Sequence, residues 1–388
     1  MSERTPSDAL KRAASDWRDW LMSCSLPLWW QGARINNGSF AEGLALDGGP
    51  LETRQSRVRV QGRQLFCFSL ATRLGWSQPD LMSALRTSTK RFAVQCLRPD
   101  DVVGHMINID TGDLVDDSVD LYDAAFFLLG LAEATAVLGH DATRASIDRF
   151  FSGLDAHIAY DATRGYREFL PTRDTRLQNP HMHLFEALLR LYDVTGELDV
   201  LSRAEALLEF VKEMFFDNDN RRVIETVTAC DTDDSFEPGH SMEWVWLLGY
   251  HARLTSRQLD PFAVDLYERI EALDFKPGMM PLGVHIDGAI TDPRRRLWAQ
   301  TETIKAHLTM AEHHSDRSLY EQRAAETATA VQKLWRDRCA VDGGWFEHVD
   351  ADGSITSTFM PASSGYHIYF AISELMRVTG LWQTHPTR

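Results

Sequence analysis

The segment Glu237-Pro238-Gly239-His240-Ser241-Met242-Glu243-Trp244-Val245-Trp246 places a tight turn directly before an amphipathic helix. Pro238 suits the first helical position, because its φ is close to the helical value and it has no N–H group to satisfy there. His240 and Glu243 are three residues apart, so both lie on one face of the first helical turns. An imidazole and a carboxylate at the positive end of a helix suit proton transfer, although a solvated helix start would contain the same residues.

The chain of 388 residues repeats this arrangement of turn and helix along its length. Pairs of helices alternate with links that carry hairpin signatures, at a spacing of roughly 50 to 60 residues. The clearest hairpin signatures are Asp110-Thr111-Gly112 and Asp287-Gly288. We predict a loop over 26–53 and helices over 7–23, 54–74, 79–93, 117–138, 142–159, 179–195, 198–216, 239–255, 260–273, 298–314, 316–337 and 362–379.

About twelve helices in six pairs predict an all-α fold. The expected architecture is a single (α/α)6-barrel domain over residues 1–388, with short β-hairpins in the links between helices. An open stack of helix pairs would have the same periodicity, and closure is inferred from polar residues that recur near equivalent helix starts. The helices that follow the hairpin links should form the inner ring, and they contain Arg63, Asp123, His183, His240, Glu302 and His367.

Composition narrows the class of partner. The net charge is -16, from 40 basic and 56 acidic residues, which disfavours nucleic acid and anionic membrane surfaces as partners. Every apolar run is interrupted before the length of a membrane span, and the first residues lack the apolar core of a signal peptide. The five cysteines have no paired spacing, which indicates buried thiols in a reducing cytoplasm. A cytoplasmic monomer or homodimer is therefore expected.

Two histidines open another predicted inner helix, in the segment Gln178-Asn179-Pro180-His181-Met182-His183-Leu184-Phe185-Glu186. Asn179 is predicted as its N-cap and Pro180 as its first helical residue. Side chains two positions apart on a helix point in nearly opposite directions, so His181 and His183 cannot share one metal ion. We expect only one to face the barrel axis, and His181 to be the one with a purely structural role.

Two further helix starts and one arginine complete the set of candidate residues. His367 lies in the first turns of the last predicted helix, and Arg294-Arg295-Arg296 precedes another, with one of the three arginines expected to turn inward. Arg63 lies among apolar residues inside its helix, and a buried arginine needs a partner or a bound oxygen ligand. None of these signals is specific alone. Their coincidence at inner-helix starts indicates a site.

Four segments together resemble the N-acylglucosamine 2-epimerase family. They are Gln178 to Glu186, Glu237 to Trp244, Arg296-Leu297-Trp298-Ala299-Gln300-Thr301-Glu302 and Tyr366-His367, and their order and spacing cover nearly the whole chain. The resemblance implies an (α/α)6 barrel that acts on free sugars through an enediolate, without metal or cofactor. The length and the Asn-Pro-His-Met-His run are most similar to the bacterial D-mannose isomerases, whereas Trp298-Ala299-Gln300 departs from the commoner Trp-Pro-Gln.

The resemblance also implies roles for individual residues. His240, supported by Glu243, is expected to open the sugar ring and transfer protons, and His367 to take the C2 proton and return it to C1. Arg63 and His183 would hold O1 and O2. The implied catalytic residues are His240, His367 and Glu243, and the implied substrate-binding residues are Arg63, His183, Arg296, Glu302 and Asn179.

The expected reaction is the interconversion of D-mannose and D-fructose, and three alternatives stay open. A sugar 2-epimerase would need bases on both faces of C2. A glycoside hydrolase on the same barrel would need two opposed carboxylates, for which Asp116, Asp117 and Asp123 are available. A non-catalytic sugar-binding protein is the third. A phosphorylated substrate is disfavoured, since the sequence has no second basic cluster beyond Arg294 to Arg296.

Overall fold

The computed structural model describes residues 5–160, 165–228 and 234–382. Cys230 lies outside these ranges. A π-helical turn, Leu21–Ser25, joins the first two α-helices into one continuous element. The α-helices are α1 (Asp8–Trp20), α2 (Leu26–Gly32), α3 (Val58–Arg73), α4 (Leu81–Gln95), α5 (Leu121–Leu138), α6 (Arg144–Gly153), α7 (Gln178–Thr195), α8 (Leu198–Phe215), α9 (Pro238–Thr255), α10 (Pro261–Glu271), α11 (Leu297–His313), α12 (Arg317–Val331) and α13 (Ala362–Thr379).

Six of these helices, α3, α5, α7, α9, α11 and α13, form the inner ring of a barrel. Each packs against the next inner helix, and α13 packs back against α3, which closes the ring. Within the described residues, α5 is the one helix long and apolar enough to cross a membrane, with a mean hydropathy of 1.6. Of the residues Leu121–Leu138, 78% are buried inside the protein, as expected for an inner helix of a barrel. The predicted (α/α)6 barrel is confirmed, and an open stack is excluded.

The remaining helices form the outer layer. Each of α4, α6, α8, α10 and α12 packs against the inner helix that precedes it in the chain, and α1 packs against α12 and α13. These helices bury only one stripe, as expected for an outer ring. In α1 that stripe consists of Leu10, Ala13, Ala14 and Trp17.

Two glycines set the separation of α3 and α5. A Cβ atom added at Gly62 would overlap the carbonyl oxygen of Phe126, and one added at Gly130 would lie 2.8 Å from the carbonyl oxygen of Gly62. The backbones of the two helices are therefore in direct contact, which leaves no room for any side chain at either position. This contact brings Arg63, the residue after Gly62, against the Phe126 ring.

Short antiparallel strands in the links surround the starts of the inner helices. The hairpins predicted around Gly112 and Gly288 are confirmed. Five of the described strands end at the residue just before an inner helix: Gln55–Arg57, Val119–Asp120, Thr175–Leu177, Arg295–Arg296 and Met360–Pro361. The paired strands are Gly43–Leu44 with Met360–Pro361, Gln55–Arg57 with Met106–Asn108, Met106–Asn108 with Leu114–Asp116, Val119–Asp120 with Phe169–Leu170, Thr175–Leu177 with Thr226–Thr228, Phe216–Asp217 with Arg222–Val223, Ser235–Phe236 with Gly283–His285, Gly283–His285 with Ile290–Asp292, and Arg295–Arg296 with His348–Val349.

Three local predictions are wrong. The chain stays helical through α2, although a loop was expected from residue 26, because buried Trp29 stacks on Trp345 with ring centroids 4.3 Å apart. Residues 54–57 and 117–120 are not helical, because Gln55–Arg57 and Val119–Asp120 are strands that pair with neighbouring links. Among the described cysteines, Cys67 and Cys96 are buried, but Cys24 and Cys339 are only partly buried.

Candidate active site

The predicted site residues come together at the end of the barrel where the inner helices begin. A polar cavity of about 100 Å³ lies there, and a wider cavity of about 870 Å³ shares several of its walls and forms the mouth of the site. Glu302 does not line the inner cavity but lies directly behind His367. The predicted residues that do line it are Arg63, Asn179, His183, His240, Glu243, Arg296 and His367.

Each of the three cavity histidines is oriented by a carboxylate at Nδ1. The distances are 3.1 Å from His183 to Glu186, 2.8 Å from His240 to Glu225 and 2.7 Å from His367 to Glu302. A carboxylate accepts the Nδ1 proton, so each ring keeps its Nε2 for a ligand. Among the described residues, none of the three Nε2 atoms has a hydrogen-bond partner.

The expected pairing of His240 with Glu243 is wrong. Glu243 points towards the barrel axis, where its carboxylate lies 3.8 Å from Nδ1 of His183 and makes no hydrogen bond within the described chain. His240 is bound instead by Glu225, a residue of the preceding link. Glu225 is itself held by the side-chain amide of Gln178 at 2.9 Å and by the backbone N–H of Glu237 at 3.1 Å.

A close approach of two helices places an aromatic wall beside His240. A Cβ atom added at Gly239 would lie 2.7 Å from both Ala299 and the Trp298 indole, so α9 and α11 contact each other at this glycine. The Trp298 ring then lies 4.9 Å from the His240 ring and 5.7 Å from the His367 ring, measured between centroids. The indole therefore forms a wall between the two imidazoles.

The three imidazoles differ in charge. Burial alone would lower the pKa of His240, but Glu225 and Glu237 outweigh it and raise the pKa to about 10. Burial lowers the pKa of His367 and of His183 well below the usual range, and the positive charge of Arg63 lowers both further. At neutral pH the site therefore contains one imidazolium and two neutral imidazoles.

Arg63 is the cation most available to a ligand. It is 5% exposed, donates a hydrogen bond to the Tyr122 hydroxyl at 2.7 Å and lies 3.9 Å from the centroid of the Phe126 ring. No carboxylate of the described residues forms an ion pair with it. A guanidinium held by aromatic rings and left without a counter-ion suits an anionic or enolate oxygen.

Two other predicted site residues differ in detail from expectation. Asn179 is not the N-cap of α7, because the helix begins at Gln178, whose N–H is bound by the carbonyl oxygen of Glu225. The Oδ1 atom of Asn179 is buried without a partner at the cavity wall. Arg296 precedes α11 as its N-cap residue and pairs with Glu347 at 2.8 Å. Of the three consecutive arginines it is the one that lines the inner cavity, as expected.

His181 has the structural role that was predicted for it. Its Nδ1 lies 2.8 Å from the carbonyl oxygen of Leu177 and its Nε2 lies 3.1 Å from that of Tyr166, and the ring is fully buried. Asp123, which kept a hydrolase possible, is also fully buried and is bound by Arg59 and His105. It is therefore not available as a general acid.

Several groups of His and carboxylate side chains are close enough to hold a metal ion. Two share Glu243: one with His183 and Glu186, the other with Glu302 and His367. In both groups the histidine Nδ1 already donates to a carboxylate, which is the arrangement of an oriented base. That the enzyme needs no metal stays a prediction. The other groups are Glu225–Glu237–His240 and His105–Asp120–Asp123.

Sequence reasoning missed several residues of the site. Glu186 lies three residues after His183, and Lys305 lies three residues after Glu302, so helical spacing could have identified both. Glu225 lies in a link fifteen residues before His240, a separation with no periodic signal.

Comparison with known proteins agrees with this geometry. The sequence matches the N-acylglucosamine 2-epimerase (GlcNAc 2-epimerase) family over residues 38–371. It is 33% identical over 383 residues to a mannose-6-phosphate isomerase of Rhizobium meliloti (strain 1021), covering 93% of this chain and 96% of that protein. It is 26% identical over 308 residues to a D-mannose isomerase of Marinomonas mediterranea (strain ATCC 700492 / JCM 21426 / NBRC 103028 / MMB-1), covering 72% and 76% of the two chains.

A solved structure supports the fold. The crystal structure of a D-mannose isomerase superposes with a TM-score of 0.82 at 19% sequence identity, and the superposition covers 96% of this chain and 100% of that chain. At that identity the similarity concerns the architecture alone. The family match over residues 38–371 shows that this chain, an enzyme of the aldose isomerase and epimerase class, belongs to the N-acylglucosamine 2-epimerase family.

Proposed function

We propose that this enzyme interconverts D-mannose and D-fructose, or a closely related free aldose and ketose, through a cis-enediolate. The observation that carries the proposal is the difference in charge between His240 and His367, each oriented by a carboxylate at Nδ1. An aldose C2–H is a weak acid, so its removal needs a positioned neutral base and a stabilised oxyanion.

His240 suits the ring-opening step. Its imidazolium can donate the Nε2 proton to the ring oxygen of the sugar as the hemiacetal opens. Glu225 stabilises the positive charge of the imidazolium through its contact with Nδ1. As the C1–O5 bond breaks, the O1 hydroxyl loses its proton to solvent. The neutral imidazole that results can take the proton back from O5 when that hydroxyl attacks the carbonyl group and the product ring closes. This role requires a histidine that is cationic at neutral pH.

His367 suits the carbon-bound proton. Its neutral Nε2 can take the proton from C2 and deliver it to C1, which moves the carbonyl group from C1 to C2. Arg63 would stabilise the negative charge that develops on O1 and O2, and the neutral Nε2 of His183 would accept the hydroxyl proton of O2 and return it to O1. The positive ends of the inner helices add to this stabilisation.

A sugar 2-epimerase is the second candidate. It would need a second neutral base on the opposite face of C2, and His240 is unsuited to that role because its carboxylate partners keep it protonated. His183 is neutral, and its ring centroid lies 6.3 Å from that of His367, which is the observation that favours an epimerase. Which face of C2 each ring contacts decides between the two.

The mouth of the site favours an uncharged sugar. The fold brings Arg57 and Arg59 to the same mouth as Arg294 and Arg296, so the sequence-based argument that no second basic cluster exists is wrong. Each of these four arginines is nevertheless paired with a carboxylate. Arg63 also lines the mouth and is unpaired among the described residues, but it is the cation assigned to the enediolate, so little positive charge is left for a phosphate group. The pairs are Arg57–Glu42, Arg59–Asp123, Arg294–Asp292 and Arg296–Glu347.

One experiment tests these alternatives together. Chelator-treated enzyme is incubated in heavy water with D-mannose or with D-mannose 6-phosphate, and the products are followed by proton NMR. Fructose is expected from free mannose, with deuterium at C1 to the extent that the proton held by His367 exchanges with solvent before it is delivered. Glucose with deuterium at C2 would show a 2-epimerase, faster conversion of the phosphate would show a phosphosugar isomerase, and loss of turnover on chelation would refute a metal-free route.

A further inference from the structure

One charged group beneath the active site has no part in the mechanism above. Lys305 is completely buried on α11, one helical turn after Glu302. Its Nζ lies 2.6 Å from Oε2 of Glu302, without the angles of a hydrogen bond, and 3.7 Å from the centroid of the Trp246 ring. A lysine is rarely buried unless it is paired, and an apolar side chain at such a position often gives an equally stable fold.

Lys305 provides the positive charge in a cluster of buried glutamates beneath the cavity. Three buried glutamates face it, Glu186 from α7, Glu243 from α9 and Glu302 from its own helix, and all three raise its pKa against the effect of burial. Glu186 already accepts hydrogen bonds from His183 and Tyr366, but Glu243 has no hydrogen-bond donor within the described residues. The positive charge is therefore shared by carboxylates that would otherwise repel one another.

The contact with Glu302 connects this charge to the proposed base. Oε2 of Glu302 faces Lys305, while Oε1 accepts the Nδ1 proton of His367 at 2.7 Å. Burial raises the pKa of Glu302 to about 7, and Lys305 is the main group that opposes this rise. A protonated Glu302 could donate to Nδ1, which would move the ring proton to Nε2 and leave His367 without a free base.

We propose that Lys305 is a positioning residue: through its ion pair with Glu302, it fixes the carboxylate that keeps His367 in the tautomer with a free Nε2. The inference rests on the proposed role of His367. The other charged or titratable groups that act on this cluster include Arg63 on α3, His183 on α7, His240 on α9, Arg296 just before α11 and Tyr366 on α13. All of them are present in every variant below, so they do not account for a difference between variants.

The test compares Lys305→Met with Glu302→Gln and with the double variant. Lys305→Met should lower kcat about 10- to 100-fold with little change in KM, and should move the acidic limb of the kcat profile to higher pH. In the Glu302→Gln background the same change should have no further effect on kcat, because the carboxylate on which Lys305 acts is absent. Lys90→Met, the same substitution at an exposed site on α4, is the control for loss of a lysine.

A second readout does not depend on which sugar is converted. Nitrogen NMR of the histidine rings in the free enzyme at about pH 8.5, above the pKa of Glu302, should show His367 with its proton on Nδ1 in the parent and on Nε2 in Lys305→Met. An unchanged tautomer, or an equal loss of kcat in both backgrounds, would overturn the proposal. If Lys305→Met does not fold, Lys305→Gln serves for the same measurements. Turnover retained by His367→Asn would instead contradict the assignment of the base itself.

Discussion

Replacing Glu225 by glutamine removes the charge that keeps His240 cationic while preserving shape. Glu225 Oε2 lies 2.8 Å from Nδ1, and Glu225 is the strongest of the groups that raise the pKa of this histidine to about 10. Without it, burial and Glu237 remain, and we expect the pKa to return to about 6.5 or lower. The step that needs a proton on His240 should then fail in the alkaline half of the pH range.

The expected magnitude follows from two effects. At pH 7.5 a group with a pKa of about 10 is almost fully protonated, whereas one with a pKa of about 6.5 is protonated to about one tenth, a tenfold loss. Loss of an orienting carboxylate costs a further 10- to 100-fold in comparable sites. The kcat/KM of Glu225→Gln should therefore fall by about 10²- to 10³-fold.

The assay is the initial rate of ketose formation from D-mannose over a wide pH range, with thermal unfolding as a check on the fold. The activity of the parent should decline only as pH rises through about 10, because protonated His240 is lost there, and the decline in the variant should begin below about pH 8. Glu237→Gln is a graded comparison: it removes a weaker charge, whose Oε2 lies 3.9 Å from Nδ1 without a hydrogen bond, so it should move the alkaline limb less than Glu225→Gln does. Activity of Glu225→Gln within threefold of the parent, with an unmoved alkaline limb, would refute the reasoning.

Three further changes should separate the roles of other residues. His367→Asn should abolish exchange of the C2 proton with solvent and lower kcat by at least about 10³-fold, as seen by NMR in heavy water, and retention of exchange would assign the base elsewhere. Arg63→Lys keeps the charge but loses the planar contact with Phe126, so kcat should fall by about 10- to 100-fold, and steady-state kinetics with unchanged kcat would contradict enediolate stabilisation by Arg63. Gly62→Ala should destabilise the enzyme by about 1 to 3 kcal/mol, since the new methyl group has no space between α3 and α5, and an unchanged Tm would refute that close contact.

The sequence predicted the barrel well because inner and outer helices differ in a way that a pattern can show. Inner helices such as α5 are apolar nearly all round, outer helices such as α1 bury one stripe, and each pair is followed by a turn with glycine or aspartate. Boundaries were less predictable. The residues just before α3 and α5 pair with strands from other links, and such pairing depends on contacts that are distant in sequence.

The candidate site was predictable in its cavity-lining residues but not in the residues that orient them. His183, His240, His367 and Arg63 lie near helix starts, and helix starts can be read from local sequence. The partner of His240 could not be found in this way, because Glu225 reaches it from a link that no helical spacing relates to it. Local spacing even indicated the wrong partner, since a residue three positions away shares a helix face but need not point the same way along it.

This dependence on non-local partners explains how two histidines near the starts of inner helices acquire different charges, one positive and one neutral. Both lie in the first turns of inner helices and both contact a carboxylate through Nδ1. At the rim, His240 faces two glutamates from the link, Glu225 and Glu237, and is held protonated. The partner of His367, Glu302, also contacts Lys305. The positive charges of Lys305 and Arg63 therefore oppose protonation of the His367 ring. The proposed acid and the proposed base are therefore the same residue type, because the links supply negative charge around His240 and α3 and α11 supply positive charge around His367.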